Sequence, residues 1–100
     1  MMLCRRIAAL LCAALLLTHF SAGAGEEEII LKEGTGRDLV ARNCVLCHSL
    51  DYIPMNAPLM TGSRWEATVR KMIDKMGAPI GEPDAKQILQ YLTTSYAAAQ

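Results

Sequence analysis

Charge of one sign is not in excess in this 100-residue chain: ten Lys and Arg stand against ten Asp and Glu. A nucleic-acid binder usually carries a basic patch and a high pI, so nucleic acid is not an expected partner. Long apolar runs are also missing. Ile7 to Phe20 contains no Asp, Glu, Lys or Arg, but those 14 residues fall short of the roughly 20 that a spanning helix needs. No stretch alternates with period two in the manner of a half-buried strand. No internal repeat or low-complexity run is present. Side chains able to hold a metal or carry redox chemistry are few, with four Cys and two His.

What is there begins with a targeting segment. Arg5 and Arg6 form a positive start, the apolar stretch follows, and Ser21-Ala22-Gly23-Ala24 supplies small residues for cleavage. This is the layout of a secretory signal peptide, expected over residues 1–24, with the cut after Ala24. An uncleaved membrane anchor is the competing reading and is opposed by the length of the run. Cys12 is preceded by Leu11 rather than a small residue, which speaks against a lipoprotein site.

Without the leader, the expected mature chain is residues 25–100, with eight basic and ten acidic residues and a net charge of −2. It has no stretch that would span a membrane. Cys4, Cys12 and His19 leave with the leader, so Cys44, Cys47 and His48 remain. A chain this short buries only about 60% of its unfolded surface and usually needs a staple. A disulfide between Cys44 and Cys47 would close too small a loop to stabilise much. Something else is expected to fill the middle of the domain.

The spacing predicts an all-α domain of three main helices. The first runs from about Gly36 to Cys44. Residues 49–62 carry two prolines and read as mostly loop. A capping box at Ser63–Glu66 starts the second helix, whose apolar face is Trp65, Val69, Met72, Ile73 and Met76, with Gly77 as its stop. The third starts near Glu82-Pro83-Asp84 and buries Ile88, Leu89, Tyr91 and Leu92.

The chemistry sits at Cys44-Val45-Leu46-Cys47-His48. This is C-x-x-C-H, the attachment signature of c-type haem. Two thiols add to the two vinyl groups of one porphyrin, and the adjacent histidine is held beneath the iron as proximal ligand. Its second ring nitrogen is expected to donate to the carbonyl of Pro54 or Pro58. Attachment takes place outside the cytoplasm, in keeping with the leader. Two other uses of the residues compete. A thioredoxin-type redox pair sits at a strand–helix junction, for which there is no pattern. A zinc site needs a fourth ligand, which an acid or water would have to supply.

Bis-histidine ligation within the chain is excluded, because no second histidine remains. Met/His ligation is the usual arrangement of an electron carrier. The candidates are Met55 and Met60 in the loop, and Met72 and Met76, which both point inward if the helix face is as drawn.

The run from Cys47 to Pro58, with Ser49-Leu50-Asp51-Tyr52-Ile53-Pro54-Met55-Asn56-Ala57-Pro58 at its heart, resembles the haem c subunit of bacterial sulfite dehydrogenases. So do Trp65, Val69, Lys71-Met72, Gly77-Ala78-Pro79-Ile80, Ile88 and Tyr91-Leu92. The likeness spans about residues 34–96. It implies a small class I-like monohaem cytochrome c domain with one covalent haem c, and Met72 as the distal iron ligand, Met76 being the second choice. It also implies a periplasmic electron-transfer subunit that is not catalytic alone. Electrons would come from a molybdenum-cofactor subunit that oxidises sulfite, and would pass to a soluble cytochrome c. The alternative is a free monohaem carrier, or the haem subunit of another periplasmic dehydrogenase.

Overall fold

The computed structural model describes Gly23 and residues 28–99. The leader expected over residues 1–24 therefore lies, Gly23 apart, outside the described residues. Among those described the chain is all-α, with four α-helices and no strand. In chain order these are α1 (Arg37–Cys44), α2 (Tyr52–Asn56), α3 (Gly62–Asp74) and α4 (Glu82–Tyr96), with a short 3₁₀ turn at Ala57–Leu59. None is long and apolar enough to cross a membrane.

The three expected helices are α1, α3 and α4. The addition is α2, in the segment read as loop. Its proline misleads because Pro54 lies in the first turn, where backbone N–H groups have no intrahelical acceptor anyway, and Pro58 opens the 3₁₀ turn in the same way. The start of α3 also differs. Thr61, not Ser63, is the N-cap; its hydroxyl accepts from the Arg64 backbone N–H at 3.3 Å and lies 3.0 Å from the Ser63 hydroxyl.

Helix α4 is the hub. Ala85, Ile88, Tyr91, Leu92 and Tyr96 are buried on one face, against Leu39 and Val40 of α1 and Trp65 and Val69 of α3. Gly36, just before α1, has φ of 94°, and a Cβ there would stand 2.9 Å from the Gln87 carbonyl oxygen of α4. Only glycine allows both this left-handed backbone and this close approach.

At the C-terminus of α3, Gly77 takes φ of 70° and the chain folds back. The Ala78 N–H reaches the Met72 carbonyl at 2.9 Å, and Met76 is left past the end of the helix. The expected inward Met76 is thus corrected: the helix stops at Asp74 and Met76 is 60% exposed.

The segment before α1 is pinned at Lys32. Its carbonyl accepts from the Tyr91 hydroxyl at 2.5 Å, and its N–H donates to the Tyr96 hydroxyl oxygen at 2.8 Å. Burial, with Tyr96 beside it, pushes the Tyr91 hydroxyl pKa up.

Candidate functional site

Between α1, α2, α3 and α4 lies a small apolar cavity, partly open to the surface. Trp65, Thr68, Val69 and Met72 line it from α3, at the spacing of one helix face. Ile88 and Leu92 contribute from α4, and Tyr52 and Ile53 from α2. The turn after Gly77 adds Ala78 and Ile80.

Cys44, Cys47 and His48 reach the same cavity from the end of α1 and the turn that follows. Both thiols are free. Cys44 is half-buried and Cys47 exposed, while the intervening Val45 and Leu46 turn outward, 53% and 62% exposed. The turn is held by the Cys47 N–H on the Cys44 carbonyl at 3.5 Å and the Leu46 N–H on the Asn43 carbonyl at 3.4 Å. Burial, with Cys47 adding to it, pushes the Cys44 thiol up to about 11. This is opposite to the depressed pKa of an attacking thiol in a redox pair. A strand–helix junction of the thioredoxin kind is also missing among the described residues. Among the described residues no group of three or more His, Cys, Asp and Glu is arranged to hold a metal ion.

His48 lies in the bend between α1 and α2, with Nδ1 at 3.1 Å from the Ser49 carbonyl oxygen. That oxygen can only accept, so Nδ1 carries the proton of this bond, and in the neutral ring Nε2 has the free lone pair that a metal needs. The expected partner, a proline carbonyl at 54 or 58, is replaced by this nearer one. The imidazole rests against the Tyr52 ring.

Of the four methionines among the described residues, Met72 alone lines the cavity. Met55 and Met76 are exposed, at 72% and 60%. Met60 is buried, with its carbonyl accepting from the Ala98 N–H at 2.8 Å. The thiols, the imidazole and a thioether therefore meet at one apolar space from separate elements. The chemistry of this donor set and its apolar surroundings is that which a covalently attached haem would use: Cys44 and Cys47 for its vinyl carbons, His48 and Met72 for its iron.

Sequence reasoning missed Asn43 and Thr68 as lining residues. Thr68 is three residues beyond Trp65 and four before Met72, so its position marked the face while its hydroxyl disguised it. Tyr52 and Ile53, apolar residues in a segment read as loop, belong to the cavity wall; Ile53 is only 2% exposed.

No protein-family model matches this chain. No curated protein matches it either.

Proposed function

We propose that this chain is a small c-type cytochrome domain serving as an electron-transfer subunit. Cys44 and Cys47 carry one covalent haem c, with His48 as proximal and Met72 as distal iron ligand. One observation carries the reading: two free thiols, an imidazole with an open Nε2 and a single thioether share one apolar cavity. Haem, when bound, supplies a one-electron iron couple, and Met/His ligation raises its potential. The chain's residues do the rest. Ser49 fixes the imidazole tautomer, and Ile53, Trp65, Val69, Ile88 and Leu92 keep water from the cavity. The resemblance in the Ser49–Pro58 and Gly77–Ile80 segments supports a finer assignment. The donor is then a periplasmic molybdenum-cofactor subunit that oxidises sulfite, and the acceptor a soluble cytochrome c. Catalysis belongs to the partner.

Purification from the native source, with haem staining of a denaturing gel and metal analysis, tests both levels. A stained band at the mature mass and co-purifying molybdenum are expected, and Cys44→Ala or Cys47→Ala should weaken attachment. A band without stain overturns the cytochrome reading. A stained band without molybdenum leaves a free monohaem carrier and removes the sulfite partner.

A further inference from the structure

Resting on the haem reading above, we infer that Tyr52 is a positioning residue that sets the plane of the His48 imidazole, and through it the potential of the bound iron. His48 sits in a bend, with no helix of its own to orient it. Its Nδ1–H donates to the Ser49 carbonyl at 3.1 Å, and the same oxygen accepts from the Tyr52 backbone N–H at 3.3 Å. One carbonyl thus ties the imidazole to the first turn of α2. That single bond still lets the ring swivel, because the torsion about a histidine Cβ–Cγ bond is broad. The Tyr52 ring removes this freedom. Its centroid is 4.6 Å from that of His48, with the planes 38° apart. The spacing lies within the roughly 4.5–7 Å range of attractive aromatic pairs.

Tyr52 is itself well held. Its carbonyl accepts from the Asn56 side chain at 2.7 Å, and the next residue, Ile53, is anchored in the core. Tyr52 lines the cavity beside His48 and is half-buried. Orientation and the strength of the Nδ1–H bond govern the basicity of a metal-bound imidazole. A ring that can swivel away from Ser49 is a weaker donor, and weaker donation favours the reduced iron.

The test compares the holoprotein with Tyr52→Phe and Tyr52→Leu. The phenylalanine variant keeps the aromatic face and should keep both the potential and the ferric paramagnetic resonance spectrum. The leucine variant keeps an apolar cover but not the face. Its spectrum should change in g-value spread, and its potential should rise by the equivalent of a three- to tenfold change in the reduction constant, at most about 59 mV for one electron. A purely structural Tyr52 would lower the melting temperature of the leucine variant and leave spectrum and potential untouched, which overturns the inference. The unaltered ferrous protein offers a check that needs no variant: nuclear Overhauser cross-peaks between the His48 and Tyr52 rings are expected, and their absence also overturns it. Failure of the haem reading is separately visible, as unaltered protein without covalent haem.

Discussion

Met72 and Met76 are alike in sequence, four residues apart on the same amphipathic pattern, yet differ in position. Met72 is half-buried on the cavity wall, and Met76 projects past the helix end. Their alanine variants should therefore part. With haem bound as proposed, Met72→Ala removes the thioether, so the oxidised protein should lose the weak red absorption band of a sulfur–iron bond, and its potential should fall. Met76→Ala should keep that band and change stability by no more than about 0.5 kcal/mol, as for other exposed positions. Absorption spectra and thermal melts of both variants check this, and a band lost only with Met76 would reverse the ligand assignment. The core truncation expected of an inward Met76 does not apply.

Helix α3 carries both Trp65 and Met72, so its start determines how firmly the cavity wall is held. The cap is the Thr61 hydroxyl on the Arg64 N–H. Thr61→Ala should cost about 0.5–2 kcal/mol in denaturant unfolding, and Ser63→Ala clearly less. At the far side, Arg70 of α3 grips Glu82 of α4 with two bonds of 2.8 and 2.7 Å. Hydrogen bonding and charge from Arg70 hold the Glu82 carboxyl below the usual carboxylate range. A carboxylate with a lowered folded pKa stabilises above its unfolded value, about 4.3 for Glu, and that contribution disappears as pH falls through the folded value. Melting temperatures of the protein and Glu82→Gln should thus differ slightly at neutral pH and low salt. They should converge in acid and in high salt, because both partners are exposed to solvent.

At the scale of the whole molecule, distant segments are tied through the end of α4. The Trp65 indole N–H donates to the Tyr96 carbonyl at 3.0 Å, and the Tyr96 hydroxyl accepts from the Lys32 N–H. Trp65, 1% exposed, is both a core residue and a cavity wall. Trp65→Phe keeps most of the ring volume but leaves the Tyr96 carbonyl without its donor, at a cost of about 1–3 kcal/mol. Trp65→Ala should cost about 3–5 kcal/mol and loosen the cavity. Denaturant unfolding measures both; equal losses would mean that the indole hydrogen bond, and not the ring volume, carries the contribution of this position.

The helical class, the extent of α1, the start of α4 and the Cys44–Cys47–His48 cluster were legible in the sequence, because apolar periodicity, first-turn proline and a five-residue spacing are local properties. The sequence also placed Trp65, Val69 and Met72 on one face. It could not separate Met72 from Met76, since the periodicity ran on past a helix end that depends on how Gly77 turns the chain. It hid α2, because proline counts as a breaker until its place in the first turn is known. The pairing of His48 with Ser49 and Tyr52, the pinning of Lys32 by two tyrosines and the Trp65–Tyr96 bond all belong to the tertiary structure. They depend on which polar atoms are brought within reach when the apolar faces close, and side-chain spacing along a chain does not encode that distance.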